Sequence, residues 1–400
     1  MQRALIISIS VLVIIGVIVG AYFYFFTGSA SVTVAPRGAS LPIAGQGTSG
    51  ANEITPLTPN PNPSAPVTVS GRLVQISQGP VVPGIAVVDI KAINASSSPE
   101  VSVNYIERES GNVFSYLTRA KTLTRINNKT LPGIQSAQWL PDGSAAFVRY
   151  LSGADFSTIN TYALAATSTS GFFLPQNLSS ISVSSTGLLT IASGVNGSAV
   201  SLGRIDGTRS STIFTTPLTA LRVSFAGKNQ YLAFSKPSAA LSGDAFLVDS
   251  TGHFSRIAGP RNGLVALASP SGKWVLVSYV QGTTMQMELI NAATQLSITL
   301  PVATIADKCV WTADGESIYC GVPQNPDVSR AYPDDWYQGA VQFSDRIWKI
   351  QVAGRYAQLV LDFSQSAEGN LDAEALAINP VGTVLVFVNK NDGSLWSYAL

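Results

Sequence analysis

Two cysteines are the side chains whose spacing most directly indicates chemistry. Cys309 and Cys320 flank a turn centred on Asp314-Gly315, at equal offsets on its two sides. If this segment is an antiparallel hairpin, the cysteines are directly opposite partners and lie close enough for a disulfide in an oxidising compartment. The alternative is two free buried thiols that pack as small apolar side chains. No other Cys or His lies nearby, so the sequence indicates no zinc site.

Aromatic and acidic side chains gather in the segment 324–345 of a chain that is otherwise poor in charge. We take as candidate ligand-binding residues Tyr332, Asp334, Asp335, Trp336 and Tyr337. Exposed rings beside carboxylates can stack on a sugar or anchor a protein partner. The alternative is a loop that folds its rings back onto its own domain.

No catalytic constellation is apparent. The carboxylates of Asp334 and Asp335 are adjacent and point apart on an extended segment, which is poor geometry for an acid/base pair. His253 is the single histidine, and the chain lacks the Gly-x-Ser-x-Gly elbow of a serine hydrolase. We therefore assign no catalytic residue, no metal site and no cofactor.

One sequence motif recurs six times. It consists of a strand in which apolar and polar residues alternate, a tight turn and a second strand of the same kind. The copies are 137–150, 181–193, 222–235, 265–279, 308–321 and 375–389. Glycines in their turns are spaced by 44, 40, 45, 43 and 67 residues. A period near 43 with strand-turn-strand units is typical of a β-propeller with four strands in each blade. A helical repeat is excluded because the apolar residues alternate with period two.

The repeats predict an all-β fold, a seven-bladed β-propeller with four-stranded blades over 71–400. An additional blade fits at about 81–126, and the last blade has three strands of its own. We expect 71–77 to pair with 393–400 and close the ring, which removes the exposed sheet edges. The long spacing of 67 residues contains the insertion 324–345, between the second and third strands of the sixth blade.

The turn sequences carry a resemblance to a known family. Residues 139–143 read WLPDG and 312–315 read TADG, whereas 269–272 read SPSG. The pattern resembles the TolB-type propeller repeat, whose turn typically reads Trp/Ser-Pro-Asp-Gly, and it also looks like uncharacterised membrane-tethered propellers of bacterial envelopes. The resemblance covers about 71–400. It implies a fold and an extracytoplasmic compartment, but no activity, because propellers serve as enzymes, lectins and scaffolds.

The N-terminal part reads as an anchor and a tether. Residues 5–26 are apolar and uncharged, and at 1.5 Å per residue they can cross a bilayer of roughly 30 Å. Arg3 predicts that residues 1–4 are cytoplasmic and that the chain after the helix is extracytoplasmic, at the cell surface or in the periplasm. Residues 27–70 contain seven prolines and two charges, which is typical of an extended linker. A cleaved signal peptide is the alternative.

Composition limits the partners. The net charge is +1 and only 12% of residues are charged, so nucleic acid is a poor candidate. We expect a membrane-anchored binding or scaffold module for an envelope protein or a polysaccharide, and not an enzyme. The alternatives are a propeller enzyme acting on an envelope glycan or a small ester, and a structural spacer or sensor head.

Overall fold

The computed structural model describes residues 67–68, 72–90, 99–129, 131, 133–366 and 369–400, with 67, 68 and 366 as backbone alone. The expected anchor at 5–26 and nearly all of the linker lie outside these residues. Within the described part of the chain, no helix has the length and apolar character needed to span a membrane.

Seven antiparallel sheets contain all of the described strands. The first two strands are β1 (Val67–Thr68) and β2 (Leu73–Ser77). Blade 1 contains β3 (Ala86–Ile90), β4 (Glu100–Ile106), β5 (Val113–Leu117) and β6 (Thr122–Asn127). Blade 2 contains β7 (Ile134–Trp139), β8 (Ala145–Ser152), β9 (Thr158–Ala165) and β10 (Gly171–Phe173). Blade 3 contains β11 (Leu178–Val183), β12 (Leu188–Gly194), β13 (Gly197–Gly203) and β14 (Ser211–Thr216).

The remaining blades follow the same plan. Blade 4 contains β15 (Leu221–Phe225), β16 (Gln230–Ser235), β17 (Ser242–Asp249) and β18 (Phe254–Asn262). Blade 5 contains β19 (Val265–Ala268), β20 (Trp274–Gln281), β21 (Thr284–Asn291) and β22 (Ser297–Thr299). Blade 6 contains β23 (Cys309–Trp311), β24 (Ser317–Pro323), β25 (Asp345–Gln351) and β26 (Tyr356–Asp362). Blade 7 contains β27 (Ala373–Ile378), β28 (Val384–Asn389) and β29 (Leu395–Ala399). The short helices are a 3-10 helix (Ala306–Lys308), α1 (Asp334–Tyr337) and α2 (Phe363–Ser366).

The predicted ring closure is confirmed. Strand β2 pairs antiparallel with β29, with Leu73 opposite Tyr398 and Gln75 opposite Trp396, and so supplies the fourth strand of blade 7. Strand β1, which the sequence analysis placed at the end of the linker, pairs with β2 and makes this sheet five-stranded. The prediction of seven blades is therefore correct, and blade 7 has one short strand more than expected.

The strands follow from local sequence. In β28 all six residues VLVFVN are buried, because the second strand of a blade packs against a neighbouring blade on each face. The turns follow from their Asp-Gly pairs. The Asp314 carboxylate accepts a hydrogen bond from the Glu316 backbone N–H at 2.9 Å, and Gly315 has a φ of 70°, a conformation that suits glycine.

In a propeller the first strand of each blade lines the central channel, and all first strands run in the same direction because every blade repeats the same connection from the outer strand of the blade before it. This gives the ring two distinct ends. We call the end at which the first strands begin the insertion face, because it also carries the loops between second and third strands. We call the opposite end, with the tight turns between first and second strands, the turn face.

Candidate functional site

The disulfide predicted from the cysteine spacing is confirmed. Cys309 on β23 lies opposite Cys320 on β24, and a bond joins their Sγ atoms with the Cα atoms 4.1 Å apart. Strand β24 ends at Pro323, where the insertion begins. The disulfide therefore ties together the two strands that support the insertion.

The insertion lies where the sequence placed it, between β24 and β25, but its rings are buried. Tyr332 is 2% exposed and Trp336 is 3% exposed. The ring of Phe343 lies 5.5 Å from that of Tyr332 and 6.5 Å from that of Trp336, measured between centroids. The expectation that these rings stand at the surface as anchors is wrong, because they pack into the apolar core that extends over blades 4 to 6. The alternative, a loop that folds its rings onto its own domain, describes them correctly.

The two aspartates of the insertion hold backbone groups in place. Asp334 accepts a hydrogen bond from the Ala239 backbone N–H of blade 4 at 2.5 Å, and Asp335 accepts one from the Ala331 backbone N–H at 3.0 Å. These contacts fix the start of α1 against its own loop and against a neighbouring blade. Ligand binding by the five candidate residues stays a prediction.

Tyr337 connects the insertion to the channel wall. Its hydroxyl donates to the Asp307 carboxylate at 2.6 Å, and the same Asp307 oxygen lies 2.6 Å from the Arg222 guanidinium. Burial lowers the pKa of Arg222, but the charges and hydrogen bonds of Asp307 and Tyr337 together outweigh it, so the pKa of Arg222 is raised overall. Burial followed by the charge of Asp307 raises the pKa of the Tyr337 hydroxyl. Arg222 therefore stays protonated, and its positive charge is balanced by the ion pair with Asp307.

A buried ion cluster anchors the other side of α1. Lys308 is 0% exposed, and its ammonium lies 2.8 Å from the Asp345 carboxylate and in direct contact with that of Asp372. The Trp336 indole N–H donates to Asp372 at 3.0 Å, and so does the Phe343 backbone N–H. One lysine thus joins the loop before blade 6, the third strand of blade 6 and the loop before blade 7. Trp336 and Phe343 of the insertion are held by the carboxylate of Asp372, which pairs with this lysine.

The cluster holds two carboxylates and one ammonium. Burial raises the pKa of Asp345 to about 6, although the Lys308 charge opposes that shift, and Asp372 adds to it. The nearest further pair is Lys390 with Glu374, 3.5 Å apart. Burial also raises the pKa of Glu374. The cluster is therefore a structural joint whose charge state responds to pH.

The channel has a different character at the turn face. A cavity of about 460 Å³ there is lined by residues of blades 1, 2, 3, 6 and 7. Its apolar lining includes Ile85, Trp139, Val183, Val310, Leu376 and Ile378. Among the described residues that line it, Gln138 has the one polar side chain, and its amide donates to the Ile181 carbonyl at 2.9 Å. This end offers an apolar recess shaped by five blades.

Sequence reasoning missed Lys308, Asp372, Arg222 and Asp307. A signal for Lys308 was present, since it directly precedes Cys309 at the start of an otherwise apolar first strand. Its partners could not be found in the same way, because Asp372 lies 64 residues away and meets it only when blades 6 and 7 are adjacent.

No family model matches the chain, and no curated protein matches it. Solved structures do match. An oligogalacturonate lyase from Vibrio parahaemolyticus is 10% identical, with a TM-score of 0.56 over 84% of this chain and 96% of the lyase. An oligogalacturonate lyase in complex with manganese is also 10% identical, with a TM-score of 0.52 over 81% of this chain and 98% of the other. TolB from Acinetobacter baumannii matches at 10% identity over 79% of each chain, with a TM-score of 0.43.

The similarities to the two lyase structures support the propeller fold that the sequence predicted. At 10% identity they show the fold alone. Within the described ranges, the His, Cys, Asp and Glu side chains form no group of three or more that could hold a metal ion. The expectation that the chain is not an enzyme stays a prediction, since the matched structures include lyases.

Proposed function

We propose that this chain is a binding module whose apolar recess at the turn face receives apolar side chains of a protein partner in the cell envelope. The observation that carries the proposal is the 460 Å³ cavity, whose lining side chains are apolar apart from Gln138. An apolar recess that is open to solvent gains free energy when a partner covers it, at roughly 25 cal/mol per Å² of apolar surface buried.

The rim of the recess supports the same proposal. Val381 lies in the turn between β27 and β28 and is 72% exposed. Its backbone N–H is held at 3.0 Å by the Asp89 carboxylate of blade 1, which also accepts from the Asn379 amide at 2.5 Å. The rim is therefore a fixed surface with an exposed apolar residue. A partner can bind such a surface with little loss of conformational entropy.

The envelope setting is part of the proposal. The apolar segment 5–26 and the proline-rich linker support an anchored, extracytoplasmic propeller. The Cys309–Cys320 disulfide supports it as well, because disulfides persist mainly in oxidising compartments. A polysaccharide is the second ligand class, but an apolar lining with one polar side chain offers few groups to sugar hydroxyls.

Site-specific photo-crosslinking tests the proposal in the cells that produce the full chain. A photo-reactive phenylalanine at Val381 should give one discrete adduct, whereas the same group at Val195, 96% exposed on the insertion face, should give none. Ala377→Glu and Val183→Lys place charge in the recess from two different blades, and each should remove the Val381 adduct. The melting temperature of each variant shows whether the fold is retained.

An adduct at Val381 that persists in a folded Ala377→Glu or Val183→Lys variant would overturn the proposal. Equal adducts at Val381 and Val195 would overturn it too, because they would reflect random collision.

A further inference from the structure

A second cavity lies away from the channel, between blades 5 and 6, and the insertion forms one of its walls. Its volume is about 340 Å³, within the range that small ligands occupy. The lining comes from the hairpin between β20 and β21, the connection before blade 6, the insertion and β25. The cavity is thus built by segments that the propeller repeat alone does not require.

The walls are mainly apolar. The aliphatic part includes Met285, Val302 and Val322, and the aromatic part consists of Tyr332 and Trp348. Trp139, Trp311 and Trp396 are 9%, 6% and 5% exposed, whereas Trp348, like Trp274, is half-buried. Its position on the cavity wall accounts for that partial exposure.

The polar groups of the lining are mainly hydrogen-bond donors. The Gln324 amide nitrogen is buried and has no acceptor among the described residues. Arg346 forms an ion pair through Nε with the Asp362 carboxylate at 2.8 Å. Its side chain is 38% exposed, so its terminal nitrogens are open to solvent and make no hydrogen bond within the described part of the chain. A buried donor without an acceptor, such as the Gln324 amide, has lost its water without compensation, and a bound acceptor would restore that hydrogen bond.

The charge of the lining has one sign. Arg346 is its single ionised side chain, and no carboxylate of the described residues belongs to the lining itself. Asp362, which holds Nε, is only 6% exposed and lies behind the guanidinium as an orienting partner. Its hydrogen bonds with Ser364, together with the Arg346 charge, lower the pKa of Asp362, so it stays ionised. The unpaired edge of the guanidinium is left to accept an anion.

The walls are held in position before any ligand arrives. Tyr332 packs against Phe343, whose backbone N–H is bonded to Asp372 of the buried cluster. Strand β24, which ends in the wall at Pro323, is tied to β23 by the disulfide. A cavity with fixed walls does not collapse when empty, and it binds a ligand with little ordering cost.

We propose that the cavity between blades 5 and 6 binds a small organic carboxylate. The apolar body of this ligand packs against Val302, Met285 and Trp348, and its carboxylate accepts hydrogen bonds from Arg346 and Gln324. This site is separate from the recess at the turn face. Its ligand is a small molecule, and the two proposals can fail independently.

The test uses the full chain in detergent and three matched probes: 3-phenylpropionate, 3-phenylpropanol and 3-phenylpropylamine. Calorimetry should show saturable binding of the carboxylate, at least tenfold weaker binding of the alcohol, and none of the amine. Val302→Trp, which fills the cavity, should weaken carboxylate binding at least tenfold. Val310→Trp, which fills the recess at the turn face, should leave it unchanged. Partition into detergent is common to all variants and cancels when variants are compared. For the comparison among probes, a titration of each probe into detergent alone is subtracted.

Arg346 is examined with two substitutions. Arg346→Lys keeps the charge and should stay within about threefold of the native affinity, whereas Arg346→Gln should lose at least tenfold. If Arg346→Gln fails to fold because Asp362 loses its partner, Val302→Trp still decides the matter. Equal binding of the three probes, or unchanged carboxylate binding in folded Val302→Trp, would overturn the proposal.

Discussion

The two ends of the channel are built from the same repeated strands but differ in chemistry. At the insertion face, α1 lies against the beginnings of the first strands of blades 4, 6 and 7 through Arg222, Asp307 and Asp372. At the turn face, five blades surround an apolar recess that the described residues leave open. The insertion is one departure from the repeat, and through it α1 connects several blades at one end of the channel. The other end keeps the plain repeat and remains available for binding.

Changes to the buried residues that α1 contacts at the insertion face should lower the free energy of unfolding, whereas changes at the exposed rim of the turn face should leave it nearly unchanged.

Lys308→Met should have the largest effect. It leaves the carboxylates of Asp345 and Asp372 buried without a counter-ion, and removal of one partner from a buried ion pair typically costs about 3–5 kcal/mol. Chemical denaturation measures the loss. Lys349→Met is the matched control, since Lys349 is half-buried on β25 and takes part in no ion pair among the described residues. A loss below about 1 kcal/mol would contradict the role given to the cluster.

Trp336→Ala should lower stability by a similar amount, about 3–5 kcal/mol, because it removes a buried ring and the indole donor to Asp372. Trp336→Phe keeps most of the packing and loses the donor, so its loss should be intermediate. Phe156→Ala, at a position that is 67% exposed, is the control and should change stability little. An unchanged melting temperature in Trp336→Ala would show that this ring is not part of the core.

Removing the disulfide should have a smaller effect. The double substitution Cys309→Ala with Cys320→Ala opens a loop with a sequence separation of 11, for which the chain-entropy estimate is about 2–3 kcal/mol. Reducing the native chain should produce a similar loss, and adding reductant to the double variant should produce none. If reductant destabilises both chains equally, the effect does not come from this bond.

The pH dependence of the cluster has a definite sign. The folded pKa of Asp345, about 6, lies above its ordinary value of 3.8, so the folded chain binds this proton more tightly than the unfolded chain does. The contribution of Asp345 is fully present below pH 3.8 and is lost as the pH rises through about 6. Asp345→Asn has no such proton, so from pH 4 to pH 7 the native chain should lose stability relative to this variant, on the order of 1–2 kcal/mol. Melting temperatures of the two chains across that range measure the difference. A constant or oppositely sloped difference would contradict it.

Val381→Ser should have the smallest effect. This residue is exposed on the rim of the turn face, so its replacement should change the free energy of unfolding by no more than about 0.5 kcal/mol. Denaturation of the variant beside the native chain measures it. A loss as large as that of Trp336→Ala would mean that the rim is part of the core and that the two ends do not differ as described.

The repeated part of the protein is encoded locally in the amino-acid sequence. The alternation of apolar residues and the Asp-Gly turns are local signals, and their period near 43 residues implies the blades, their number and the closing strand. The cysteine pair was equally accessible, because both residues belong to one hairpin and the turn sets their register.

The role of the insertion, in contrast, depends on contacts between residues far apart in the chain. Whether Trp336 is exposed depends on where a 22-residue loop folds, and no local periodicity encodes that. Lys308 meets Asp372 across 64 residues, and Arg222 meets Tyr337 across 115, because ring closure brings their blades to one face. The free energy of burying apolar rings, together with the need to pair a buried ammonium, turned a segment that resembles an exposed binding loop into a joint between blades.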